Sequence, residues 1–171
     1  NTGAVVCHPE SHLDLVRPGL GLYGSVPAPA LRSRLDVEPV MKLTARVLQV
    51  KKVPLGATVS YGRTHRVNRD TTIATIGIGY GDGVLRSLSN QGSVLFQRGR
   101  APILGVVCMD LLMADVSNVP GVVAGDDAVL LGRLGQETIT AEDVANVAGT
   151  IPYEVMTSVR KRVRRTYVGE C

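Results

Sequence analysis

The sequence predicts a mainly β fold, a closed or nearly closed barrel-like domain with a few short helices. Two observations predict it. Apolar residues make up 44% of the 171-residue chain while aromatics reach only 4% and Trp is absent, so the core is built from Val, Ile, Leu and Ala. These residues fall in short runs: Thr71 to Ile78, Ser93 to Phe96, Ala101 to Cys108, Leu111 to Val116 and Ala128 to Leu131. Turn residues separate the runs, including Asn90-Gln91-Gly92, Gly99 and Gly125-Asp126-Asp127, which is the rhythm of an all-β domain.

Taken in order, Asn1 to Val6 reads as the end of a strand already under way, as if the chain were a piece of a longer one. HLDLVRPGLGLYG follows, too glycine-rich for a stable helix of any length. Its glycines could bring backbone N–H groups close to a phosphate beside the permanent charge of Arg17, yet the same residues make a simple tight connection. On spacing alone the connection is favoured, because the pattern is neither a Walker nor a dinucleotide fingerprint. The Pro/Ala/Ser/Arg stretch GSVPAPALRSRLD reads as a linker. Pro39 to Val53 then alternates, with Met41, Leu43, Ala45 and Val47 on one side and Val40, Lys42, Thr44 and Arg46 on the other, a half-buried strand.

Pro54-Leu55-Gly56 turns into ATVSYGRT, the stretch around which the chain is organised. An extended run, Ala57 to Ser60, leads to Tyr61, and Gly62 turns the backbone just beyond the ring. A phenol held this way can act as acid or base if nearby cations lower its pKa from about 10. Local sequence alone favours a packing or surface tyrosine. GYGDGVLRSLSNQG, with Tyr80, Asp82 and Arg86, reads as a loop with one helical turn. Thr140 opens a capping-box pattern over Ala141-Glu142-Asp143 and Gly149 closes that helix. A last helix starts near Pro152 and runs to Arg160.

Bulk properties narrow the function. A net charge of +4 and a pI near 9.2 suit an anionic ligand, but much of the excess sits in one run, Arg160 to Arg165, which reads first as a solvated face or helix end. Only Tyr167 lies near those charges, so a nucleic-acid platform is not indicated. Cys7, Cys108 and Cys171 are odd in number and in no metal-ligand spacing, which argues for a reducing, cytoplasmic setting and against zinc or a disulfide framework. No apolar run is long enough to span a membrane, and no signal pattern stands at the N-terminus.

The motifs HLDLVRPGLGLYG, VSYGRT, IGIGYGDGVLRSLSN, VVCMDLLMADV, GDDAVLLG and GTIPYEVMTSVRKRVRRTY, in this order, resemble the C-terminal part of bacterial alanine racemases, pyridoxal-phosphate enzymes with a TIM-barrel lobe followed by a mostly β lobe. They cover nearly the whole chain. The resemblance implies that residues 1–25 end the cofactor-binding (β/α)8 barrel, 26–37 form the linker and 38–171 form the β domain. It implies a head-to-tail homodimer, and the cysteine spacing gives no reason to expect a metal. The family's cofactor-binding lysine belongs to the first lobe, and none of Lys42, Lys51, Lys52 or Lys161 carries its motif.

By the same resemblance Tyr61 is the second acid/base, lent to the neighbouring subunit's site, so that one face of a planar carbon is served by lysine and the other by tyrosine. Arg17 faces the cofactor's pyridine nitrogen, to which it can only donate. Tyr153, Thr2, Gly19 and Leu20 hold the cofactor phosphate, and the backbone N–H of Met109 meets the substrate carboxylate. Tyr80, Arg86, Asp110 and Ile151 line the substrate entryway. Val106 stands where relatives usually carry arginine, which is expected to leave Arg86 and Asp110 short of partners, and Gly81, where alanine is common, is expected to be a milder change. The implied function is interconversion of L- and D-alanine for peptidoglycan, with this chain inactive alone. A racemase of broader substrate, for serine or another small amino acid, remains open, as does a non-catalytic basic β domain holding an acidic partner through Arg160 to Arg165.

Overall fold

A computed structural model describes residues 1–169. Its strands are β1 (Leu43–Val53), β2 (Thr58–Val59), β3 (His65–Arg66), β4 (Thr71–Ile76), β5 (Ser93–Phe96), β6 (Gly99–Leu104), β7 (Leu112–Asp115), β8 (Asp127–Leu134) and β9 (Glu137–Ile139). Six of them close a ring in the order β1-β4-β7-β6-β5-β8, with β8 pairing back onto β1. Every pairing is antiparallel. β9 extends β8 outside the ring, and β2 with β3 forms a separate hairpin that carries Tyr61 in its loop.

Closure depends on β1, which is long enough to serve two neighbours. Leu43 to Arg46 pair with β8 and Val47 to Val53 with β4, and the register shifts between Val47 and Gln49. The extra residue, Leu48, turns outward, and a bulge of this kind bends the strand so that one segment can join both edges. Leu43, Ala45 and Val47 face inward as the alternation predicts, and the alternation is broken at the bulge. Inside, Val47, Ile76, Val94, Ile103, Leu112 and Ala114 are almost wholly removed from water, and each buried Val, Ile or Leu contributes about 1.5–3 kcal/mol.

Among the described residues the α-helices are α1 (Thr2–Cys7), α2 (Gly19–Leu22), α3 (Ala141–Ala148) and α4 (Pro152–Ser158). At α3 the capping box is formed, with the Asp143 N–H donating to Thr140 Oγ1 at 3.1 Å and the Thr140 N–H donating to Asp143 Oδ2 at 2.8 Å. Gly149 ends the helix in the left-handed region. Ala141, Ala145, Val155 and Val159 join the barrel's own apolar cluster, so α3 and α4 are packed onto it.

Two expectations are corrected. Asn1 to Val6 is not a strand end: Asn1 caps α1, its Oδ1 accepting the Ala4 N–H at 3.0 Å, and this local cap together with burial of Thr2 outweighs the β preference of Val5 and Val6. The linker is docked rather than free. The Ser25 hydroxyl and the Val26 N–H both donate to Glu142 Oε1 at 2.8 Å, and Arg32 lies 3.8 Å from the same oxygen. The glycine-rich stretch before it does form helix, but only the single turn of α2.

Candidate functional site

Tyr61 is displayed by its backbone rather than by packing of its ring. Ser60 takes φ +65°, Gly62 φ +69° and Arg63 φ +50°, so the chain turns through left-handed conformations on either side of the tyrosine. Two side-chain ties hold this turn. The Ser60 hydroxyl donates to the Val106 carbonyl at 2.7 Å. The Asn90 side chain accepts the Gly105 N–H at 2.6 Å and donates to Thr64 Oγ1 at 3.3 Å. Gly105, at φ +73°, allows the close approach, since a Cβ there would stand 2.7 Å from both Ser60 Cβ and the Val59 carbonyl oxygen. In consequence Tyr61 is 75% exposed, and its hydroxyl has no partner among the described residues.

The 105–111 loop that anchors Ser60 also forms the next part of the site. Tyr80 N–H donates to the Cys108 carbonyl at 2.9 Å and Gly81 N–H to the Met109 carbonyl at 2.8 Å. No side chain could replace Gly79 here, because a Cβ would lie 2.1 Å from the Cys108 oxygen. Arg162 binds both loops from outside. Its Nε donates to Asp82 Oδ1 at 2.7 Å, and its Nη2 donates to Asp110 Oδ1 at 2.7 Å and to the Met109 carbonyl at 3.4 Å. Hydrogen bonds to Asp110 and then to Asp82 raise the pKa of this guanidinium above the ordinary arginine value, so it stays charged. The Met109 N–H, on the same loop, has no acceptor among the described residues.

With Val106 in that position, Asp110 is nevertheless partnered, by Arg162, while the exposed Arg86 makes no side-chain hydrogen bond among the described residues. Nor is Gly81 a mild detail, since a Cβ there would stand 2.4 Å from Arg162 Nη2 and 2.9 Å from the Met109 oxygen. Within the basic run, Arg165 is likewise used internally, its Nη2 donating to the Val159 carbonyl at 2.9 Å just past α4.

On the N-terminal segment the Thr2 hydroxyl is buried, donating to the Pro18 carbonyl at 2.8 Å and accepting the Gly21 N–H at 3.1 Å. It pins the α2 turn from below. The N–H groups of Gly19 and Leu20, in the first turn, donate to nothing among the described residues, and a Cβ on Gly19 would meet nothing within 4 Å. Arg17 is exposed and takes no part in the ion pairs found there. Free donors, a cation and open space suit a phosphate-bearing ring; Thr2 shapes the cradle, its hydroxyl being already engaged.

Tyr61, Tyr80, Met109 and Asp110 thus converge on one rim through the 105–111 loop. Ile151 and Tyr153 stand exposed at the start of α4, whereas it is the chain just past the far end of that helix that meets the rim, the Arg160 N–H donating to the Asp82 carbonyl at 2.8 Å. Arg17, Thr2, Gly19 and Leu20 form a second cluster, and no hydrogen bond among the described residues joins it directly to the rim. The apolar cavity of about 90 Å³ between barrel and helices, lined by residues such as Leu43, Ile103, Leu130 and Val155, contains none of these candidates. Sequence reasoning missed Ser60 and Arg162 as anchors. Positive φ at Ser60 leaves no local signature, and Arg162 has the same residue type as its neighbours in the run. Among the described residues no group of His, Cys, Asp and Glu could hold a metal ion, and no helix is long and apolar enough to cross a membrane.

The described residues thus form a closed six-stranded antiparallel barrel with an exposed phenol at Tyr61 and an unpaired amide at Met109, and a separate cluster of donors on the N-terminal arm. Comparison with known proteins supplies the family. The family described as "Alanine racemase, C-terminal domain" matches residues 40–167, and the chain belongs to it. Alanine racemase of Carboxydothermus hydrogenoformans is 49% identical over 169 residues, 98% of this chain and 46% of that protein. The crystal structure of alanine racemase from D-cycloserine-producing Streptomyces lavendulae superimposes with a TM-score of 0.94 at 39% identity, over 100% of this chain and 45% of that one. That from Bartonella henselae, with covalently bound pyridoxal phosphate, gives 0.81 at 38% identity over 91% and 42%. The chain spans just under half the length of the curated relatives it matches.

Proposed function

We propose that this chain is the C-terminal portion of a pyridoxal-phosphate-dependent alanine racemase, acting as a head-to-tail homodimer in the cytoplasm and supplying D-alanine to peptidoglycan. In this reading residues 1–25 end the cofactor-binding barrel, 26–37 link the lobes and 38–171 are the β domain. Bound pyridoxal phosphate supplies an electron sink that makes the substrate's α-hydrogen acidic. Tyr61 holds or takes a proton at its phenolic oxygen, on the face of the substrate opposite a lysine of the other lobe, and does so in the partner subunit. Met109 N–H holds the substrate carboxylate. Gly19 and Leu20 N–H groups and the Tyr153 hydroxyl hold the phosphate, with Thr2 fixing the loop that presents them. Arg17 would donate to the cofactor's ring nitrogen, where a guanidinium can act only as a donor. Tyr80, Arg86, Asp110 and Ile151 border the route by which substrate enters.

The observation that carries this reading is the exposed phenol of Tyr61 on a backbone fixed by Ser60, Asn90 and Gly105. A phenol buried in the chain's own interior could not be lent to another subunit. The test joins this chain to the N-terminal lobe of the Carboxydothermus hydrogenoformans relative and follows D-alanine formation from L-alanine. Racemisation by the hybrid, with the isolated chain plus pyridoxal phosphate no faster than free cofactor, is the expected result. Turnover by the isolated chain, or a folded, cofactor-loaded hybrid that does not racemise alanine, overturns the reading.

A further inference from the structure

We propose that Arg162 is a positioning residue for substrate, holding the Met109 amide in its binding geometry by clamping the 79–83 and 107–111 loops together. The inference rests on the racemase reading for what the amide binds, but the clamp itself is a matter of this chain's geometry. Three acceptors on two loops meet one guanidinium: Asp82, Asp110 and the Met109 carbonyl. The Met109 carbonyl also accepts the Gly81 N–H, so the peptide unit after Met109 is held from two directions. The N–H of Met109 lies on the preceding peptide unit, whose carbonyl, that of Cys108, accepts the Tyr80 N–H. Both peptide planes flanking Met109 are thereby fixed to the 79–83 loop, and Arg162 closes the bracket on the solvent side.

Two features indicate that this bracket is more than a chance surface pair. The guanidinium is planar and forked, and it meets the two carboxylates through two different nitrogens in fixed geometry, where a lysine ammonium offers a single donor atom. Its Nη2 occupies the space that any side chain at residue 81 would need. Asp82 is itself tied down, its second oxygen accepting the Gly79 N–H at 2.9 Å while its carbonyl accepts the Arg160 N–H. The clamp therefore leads from the end of α4, through Arg162 and Asp82, to the amide at Met109. Each pair is part-exposed, so it supplies orientation more than stability.

The test uses Arg162→Gln, Arg162→Lys and Gly81→Ala. In the chain itself, backbone hydrogen exchange at Tyr80 and Gly81 is expected to speed up about three- to tenfold in Arg162→Gln, with the barrel amides of β4 and β7 unchanged. In the racemising hybrid the same variant is expected to raise KM for alanine about three- to tenfold while kcat stays within about twofold, the sign of lost binding rather than lost chemistry. Arg162→Lys recovers part of the KM and not all of it. Gly81→Ala reproduces the direction, and adding it to Arg162→Gln costs less than the sum of the two, because both act through one contact. Unchanged exchange in Arg162→Gln overturns the clamp whether or not the chain is part of a racemase. Faster exchange with an unchanged KM, or a fall in kcat alone, overturns the positioning role. A hybrid with no racemase activity before mutation counts against the functional reading, and the exchange arm still decides the clamp.

Discussion

The Tyr61 hairpin and the Met109 rim share the 105–111 loop as their base, yet different chemistry holds them. The hairpin is fixed by neutral hydrogen bonds from Ser60 and Asn90 and by backbone contact across Gly105. The rim is fixed by charge, with one guanidinium set between two carboxylates. Neutral ties in a half-buried crevice are indifferent to ionic strength, whereas part-exposed ion pairs are screened by it. The difference matches the proposed tasks. A proton-transferring group depends on its distance to the reacting carbon, and a rim that admits and orients an ionic substrate can use a field.

The largest effect that could break this contrast is at the phenol. Tyr61→Phe keeps the ring and the hairpin but removes the phenolic O–H, and in the racemising hybrid it is expected to lower kcat by roughly 10²–10⁴-fold. The melting temperature of the chain should be unchanged, because the hydroxyl has no partner among the described residues. A Tyr61→Phe hybrid that retained most of its kcat would leave the hairpin without a catalytic purpose.

Next in size is the support beneath it. Gly105→Ala places a Cβ 2.7 Å from the Val59 backbone in a left-handed conformation, which costs about 1–3 kcal/mol, and the strain falls on Ser60 and hence on Tyr61. Thermal unfolding should register a loss of about 2–4 °C per kcal/mol for a chain of this size. Activity in the hybrid should fall further than Arg162→Gln makes it fall, and in kcat rather than KM. Equal losses in both parameters from both variants would erase the distinction between the two supports.

Much of this organisation was legible before the structure, and the part that was not has a common cause. Ser93 to Phe96 was bounded correctly because turn residues flank it on both sides. The α3 capping box was readable because its two partners are three residues apart. The bulge at Leu48 was not readable, since a period-two pattern gives no sign of where a strand must change neighbour to close a ring. Glu142 looked like a first-turn acid, and its role of holding Ser25 and Val26 comes from residues more than a hundred positions away. Arg162 stands among Arg160, Lys161, Arg164 and Arg165, and only tertiary structure selects it. Local signals report local partners, so Tyr61 stands out only through the family resemblance of its motif, and the residues that fix its turn do not stand out at all.

The smallest expected effect gives the sharpest comparison, because it changes no residue. At 1 M salt the screening length shrinks to about 3 Å, and each part-exposed pair of Arg162 stands to lose at most about 1 kcal/mol. Exchange at the Gly81 amide, which donates to the Met109 carbonyl inside the clamp, should then speed up by up to about fivefold relative to low salt. The hairpin offers an internal control at Val67, whose N–H donates to the Ala57 carbonyl with no charged group in the contact. The ratio of the two rates cancels any general effect of salt on exchange chemistry. A rising ratio in the native chain that stays flat in Arg162→Gln would assign the sensitivity to the guanidinium. A flat ratio in both would mean that the rim, like the hairpin, is held by its backbone hydrogen bonds alone, and the difference between the two platforms would be one of appearance.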